Sequence, residues 1–197
     1  MPEQPLIPDS VDAPLMHALS VLVAEACTVV TAARAAPLAV RTKHDASPVT
    51  AADEASEAIL LAGLARLMPG VPVISEEQAR RTRQDADIFA IVDPLDGTRE
   101  FVAGRNEFTV NVAIVHRGVS VAGLIAAPAR GTLWRGVRGR GAERLTFRDE
   151  QLGPAEPVRA RAWRAETACA VASRSRLDAG GAAVLARVTT RAQLLCG

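Results

Sequence analysis

Three hard oxygen donors fall within four residues at Asp93-Pro94-Leu95-Asp96, and Gly97-Thr98 follows at once. The apolar run Phe89-Ala90-Ile91-Val92 precedes them and reads as a buried strand. Pro94 has no N–H and a fixed φ, so the strand is expected to stop there and turn. Across that turn Asp93 and Asp96 can converge, with the Leu95 carbonyl between them. Such a donor set suits Mg²⁺. Gly97 permits close backbone approach, and the amides of Gly97 and Thr98 open towards a phosphate. The pattern is that of a metal-plus-phosphate corner.

Taken alone, the hexapeptide also reads as an Asp-Pro turn followed by an Asp-Gly turn. Two further acidic clusters weigh against that. Val71-Pro72-Val73-Ile74-Ser75-Glu76-Glu77 is a second short apolar strand ending in paired acids, and Lys43 to Asp53 leads into a helix. Three acidic clusters at element ends can meet at one place. Each residue keeps a simpler role beside the chemical one. Asp53 can be a capping-box acid, Glu76 and Glu77 an exposed turn, and Thr98 the N-cap of a short helix from Arg99. Lys43 reads as a surface cation, and Ser173-Arg174 as a plain strand end.

The elements that must position these groups are legible in outline. Residues 1–13 read as a loose leader, and a helix follows from Pro14 to Ala36. Residues 37–47 form a loop or short hairpin. Thr50 is a suitable N-cap with Asp53 three residues on, which is a capping-box spacing. Leu60, Leu64 and Leu67 give that helix an apolar stripe, and Pro69-Gly70 ends it. Strands at 71–75 and 88–92 each feed an acidic turn. Beyond residue 106, the runs 108–115, 119–126, 132–137 and 143–147 are separated by glycines and predict an antiparallel meander. The arginines at 135, 138, 140, 144 and 148 read as its solvated face. Residues 149–166 are expected to be a crossover, followed by a strand at 169–173 and a helix over 175–188.

Composition narrows the function. With 197 residues, 49% of them hydrophobic, the chain can bury a core. A net charge of +1, 3% aromatic residues and no tyrosine give no platform for nucleic acid. Cys27, Cys169 and Cys196 are widely spaced and read as buried small apolar residues in a reducing cytoplasm. His17, His44 and His116 lack zinc-ligand spacing. The acidic, proline-containing N-terminus is not that of a secretory signal. His17, Glu25 and Arg34 interrupt the apolar stretch 15–36, which fits a buried amphipathic helix better than a membrane span.

The segments Lys43–Asp53, Ser75-Glu76-Glu77 and Asp93–Thr98 resemble, in order and spacing, the three N-terminal motifs of the inositol monophosphatase and fructose-1,6-bisphosphatase superfamily. Within it, Ser-Pro-Val-Thr at 47–50, Arg99-Glu100-Phe101 and Glu107–Ala113 are most similar to CysQ-type 3'(2'),5'-bisphosphate nucleotidases. The resemblance implies a layered α-β-α-β-α sandwich over residues 14–188, incomplete at its C-terminal side, with 189–197 as a non-family tail. It implies a cytoplasmic phosphatase using two or three Mg²⁺ ions on a small phosphate substrate, with a homodimer as its assembly. By the same resemblance, Glu76, Asp93 and the Leu95 carbonyl hold one metal ion, and Asp93 and Asp96 share a second. Asp53 and Thr98 act on the attacking water, while Glu76, Leu95, Asp96, Gly97 and Thr98 contact substrate. The family's segment containing Trp-Asp-x-Ala-Ala, whose Asp completes the second metal position, is absent. A shortened chain with a weakened second metal position is therefore expected. The inferred substrate is 3'-phosphoadenosine 5'-phosphate. The close alternatives are an inositol phosphate or fructose 1,6-bisphosphate, and the alternative from another class is a non-catalytic remnant.

Overall fold

The computed structural model describes residues 11–34, 40–42, 48–76, 86–164, 168–173, 177–187 and 192–196. Lys43, Glu77 and Arg174 lie outside them. The chain divides into two compact units, Met1–Val158 and Arg159–Gly197.

In the first unit, the Asp12 carboxylate accepts the Leu15 N–H at 2.8 Å and opens α1 (Ala13–Arg34). Met16, Leu19, Val23, Cys27 and Val30 recur at helical spacing along its buried face. By length and composition α1 could cross a membrane, but half of that stretch is buried within the fold, as for a core helix. A two-stranded ribbon of β1 (Val40–Thr42) and β2 (Pro48–Thr50) leads into α2 (Ala51–Leu67). The capping box forms: Thr50 accepts from the Ala52 N–H, and Asp53 Oδ2 accepts from the Thr50 N–H at 2.8 Å. The two helices pack closely because Gly63 has no side chain; a Cβ there would lie 2.2 Å from Leu22 Cδ1.

The sheet begins with β3 (Val73–Ser75) and β4 (Ile88–Asp96), which pair in parallel. A short helix α3 (Thr98–Val102) follows, then β5 (Thr109–His116), β6 (Val119–Ala127), β7 (Thr132–Val137) and β8 (Gly141–Arg148). These continue antiparallel in the order β8-β7-β6-β5-β4-β3. Helices α1 and α2 cover one face, where Ala90, Val92, Val110, Val112, Ile114 and Leu124 are buried. Ile91 and Ile125, on the opposite face, are 41% and 51% exposed.

Four expectations need correction. The segment 149–166 is not simply a crossover: β9 (Gln151–Leu152) and β10 (Glu156–Val158) pair with β8 and extend the meander. Arg135 is not on a solvated face, because its guanidinium pairs with Glu143 at 2.9 Å and reaches Ser20 on α1 at 3.1 Å. Of the cysteines, Cys27 is buried, and burial pushes its thiol up to about 12, but Cys169 is exposed. Finally, β4 does not stop at Pro94 but runs on through it to Asp96. Pro94 is tolerated inside the strand because the ladder is broken there by a bulge.

The second unit has β11 (Cys169–Ser173), α4 (Ala179–Arg187) and β12 (Ala192–Cys196). β11 and β12 are parallel, as a crossover through a helix allows.

Candidate metal and phosphate site

Strand alternation puts Ala90 and Val92 on the helix-covered face and Ile91 and Asp93 on the other. In a regular strand Asp96, three residues on, would face away from Asp93. The bulge prevents this. Asp93 is opposite Asn111 and Asp96 is opposite Thr109, so three steps on β4 match two on β5. Asp93 and Asp96 consequently line one groove of about 620 Å³, together with Thr109, Asn111, Ile125 and Trp134. The bulge is held from the helix side, where the buried Ser56 hydroxyl donates to the Pro94 carbonyl at 2.8 Å.

Glu76 follows directly on β3, whose parallel register sets Ser75 beside Val92. Its side chain is hydrogen-bonded to Asp93. Burial, then the Glu76 and Asp96 charges and that hydrogen bond, push the Asp93 carboxyl up from its ordinary 3.8 to about 7. The Leu95 N–H, donating to Asp93 Oδ1 at 3.2 Å, opposes the shift. The cluster is short of positive charge.

On its other side, Gly97 adopts φ +85° and caps α3, so the helix starts at Thr98 and not at Arg99. A Cβ at Gly97 would lie 2.8 Å from the Glu107 carbonyl oxygen, so both conformation and space demand glycine. The Thr98 hydroxyl lies 3.0 Å from the Leu95 carbonyl and 3.3 Å from Asp53 Oδ1. Asp53 is 1% exposed, and its other oxygen receives the Thr50 N–H and, at 2.7 Å, the Thr50 hydroxyl. It is therefore both a capping acid and the partner of Thr98. The loop after α3 is anchored by the T-shaped pair of Phe101 and Phe108, with ring centroids 5.1 Å apart. Arg34, at the end of α1, sits over the Phe108 ring and donates to Asn106.

The structure thus brings Glu76 to Asp93, Asp96 to the same face, and Thr98 to Asp53 and Leu95. Among the described residues, no group of three or more acidic, histidine or cysteine side chains comes together closely enough to hold a metal ion by itself. The donors nonetheless fit a hard cation: all are oxygens, and the mutual repulsion at Asp93 is what a cation relieves. A larger cleft of about 870 Å³, between α1 and the β8–β9 turn, offers a single carboxylate, Asp149. Two residues with a stake in the site were not singled out from the sequence, Ser56 and Asn111. The available signal was a polar residue inside an apolar stripe or strand.

The model of the inositol monophosphatase family matches residues 12–192, and this chain belongs to that family. The mixed sheet with its covering helices matches solved members of it. Extragenic suppressor protein suhB from Bartonella henselae superposes with a TM-score of 0.75 at 25% identity, covering 93% of this chain and 70% of that one. CysQ from Bacteroides thetaiotaomicron superposes with a TM-score of 0.72 at 28% identity, covering 93% and 73%. Among curated proteins, the 3'(2'),5'-bisphosphate nucleotidase CysQ of Salmonella typhimurium is 43% identical over 108 residues, which is 54% of this chain and 44% of that protein. The chain spans less than half the length of that curated relative.

Proposed function

We propose that this chain is a Mg²⁺-dependent phosphate monoester hydrolase whose preferred substrate is the 3'-phosphate of 3'-phosphoadenosine 5'-phosphate. The observation that carries the reading is the β4 bulge, which sets two aspartates on one face beside Glu76, next to the Asp53–Thr98 contact. Family membership and the similarity to CysQ support the reaction class and the substrate.

Glu76, Asp93 and the Leu95 carbonyl would hold one Mg²⁺, and Asp93 with Asp96 a second. Bound there, Mg²⁺ supplies charge neutralisation for the phosphoryl oxygens and lowers the pKa of the attacking water. Thr98 has its hydroxyl proton directed to Leu95 and Asp53, which leaves a lone pair to orient that water. Asp53 is the acceptor to which the water's proton can pass through Thr98. The Gly97 and Thr98 amides would grip the phosphate, whereas the Glu100 and Phe101 N–H groups already donate to the Gly97 carbonyl. Glu76, Leu95 and Asp96 then border the bound substrate as well as the metal. A cytoplasmic, homodimeric enzyme is the setting this reading implies.

The test is release of inorganic phosphate from 3'-phosphoadenosine 5'-phosphate, inositol 1-phosphate and fructose 1,6-bisphosphate, with Mg²⁺ and with chelator. Mg²⁺-dependent turnover, fastest on the nucleotide, is the expected result. Turnover of none of the three, or turnover unaffected by chelator, refutes the proposal. Preference for a sugar or inositol phosphate refutes the substrate assignment alone.

A further inference from the structure

Among the described residues, three buried side-chain atoms have no hydrogen-bond partner: Glu57 Oε1, Ser75 Oγ and Asn111 Oδ1. An acceptor buried without a donor is costly, and natural folds seldom keep one without a use. Ser75 is on the register of Val92, which turns it to the helix-covered face. Asn111 differs, because it is directly opposite Asp93 in the antiparallel ladder and lines the same groove as Asp93 and Asp96. Residues paired in this way have Cβ atoms about 5 Å apart. Its neighbours along β5, Val110 and Val112, are buried aliphatics turned to the other face, while Asn111 stands between Thr109 and Ala113 on the groove side.

We propose that Asn111 is a positioning residue of the metal site, its Oδ1 accepting a hydrogen bond from a water of the hydrated cation held beside Asp93. The proposal rests on the metal-site reading given above. An amide oxygen can only accept, so its partner must carry an O–H or N–H. A fully ionised phosphate carries neither. Mg²⁺ gives up its waters reluctantly, and a site with few protein ligands leaves several of them in place as donors. An outer hydrogen bond of this kind orients the hydrated ion without charge, and its loss commonly costs 10–100-fold in metal affinity.

The experiment is calorimetric titration of MgCl₂ into the full chain, comparing wild type, Asn111→Leu and Asn111→Thr, with thermal melts of each metal-free protein. Leu keeps the branching of Asn at Cγ, with somewhat greater volume, but cannot accept, while Thr restores an acceptor and suits a strand. The expected result is about tenfold weaker Mg²⁺ binding for Asn111→Leu, partial recovery for Asn111→Thr, and a metal-free melting temperature for Asn111→Leu no lower than wild type. Equal Mg²⁺ affinity in wild type and Asn111→Leu overturns the inference and leaves the metal-site reading standing. A changed KM for substrate at unchanged Mg²⁺ affinity also overturns it, since Asn111 would then contact substrate. Parallel loss of metal-free stability and affinity in Asn111→Leu assigns Asn111 to packing and overturns it too. A wild-type chain that takes up no Mg²⁺ removes the underlying site reading, and this inference with it.

Discussion

Replacing Asp93 by Asn should make the metal-free protein more stable and Mg²⁺ unable to stabilise it further. The folded state raises the Asp93 carboxyl from 3.8 to about 7, so it holds a proton that the unfolded chain releases. The sign follows from linkage: stability from this group is full below pH 3.8 and is lost as pH climbs through about 7. Over that interval the full loss is about 4 kcal/mol. Asp93 is only partly buried, and solvent screening takes roughly half of it, leaving about 2 kcal/mol. Asn cannot ionise, and its Nδ2 can donate to Glu76 in place of the carboxyl proton. Without metal, urea denaturation should therefore show Asp93→Asn more stable than wild type by about 2 kcal/mol at about pH 8, with the gap closing towards pH 4. With Mg²⁺ at roughly ten times its dissociation constant, wild type should gain about 1.4 kcal/mol and the variant almost nothing. A variant less stable than wild type without metal at about pH 8 would refute the electrostatic argument. An undiminished response to Mg²⁺ would refute the ligand assignment.

Three other substitutions test the scaffold beneath the site. Gly97→Ala should cost about 2–4 kcal/mol in chemical denaturation, from the left-handed backbone and the contact with the Glu107 carbonyl. Gly63→Ala should cost about 1–3 kcal/mol by the same measurement, and the double variant Gly63→Ala with Leu22→Ala should cost less than the sum of the two single changes, because the pair shares one contact. Ser56→Ala leaves the Pro94 carbonyl without its buried donor and should cost about 1–2 kcal/mol. Calorimetry on that variant should also show weaker Mg²⁺ binding, since the bulge aligning Asp93 with Asp96 loses its tether.

Much of the scaffold was legible because it follows from local patterning. The buried stripe of α1, the capping box of Thr50 and Asp53, the glycine-punctuated meander and the acidic ends of β3 and β4 are all short-range features. Their spacing marked Asp93, Leu95, Asp96, Gly97 and Thr98 beside two further acidic element ends, and the family resemblance gave Glu76 and Asp53 their place in the site. Other features depended on partners far away in the chain. Pro94 read locally as a stop, yet β4 continues through it, because pairing with β5 absorbs one extra residue and Ser56, 38 residues earlier, takes up the Pro94 carbonyl. The strands in 149–158 form because β8 offers an edge, not because Gln151-Leu152 or Glu156-Pro157-Val158 has strong strand character. Arg135 leaves the solvated face only because Glu143 and Ser20 converge on it. The face shared by Asp93 and Asp96, and Asn111 opposite them, depends on inter-strand register. Period-two alternation cannot reveal a bulge, so the residues of the candidate site could be read from the sequence while their common face came from tertiary pairing.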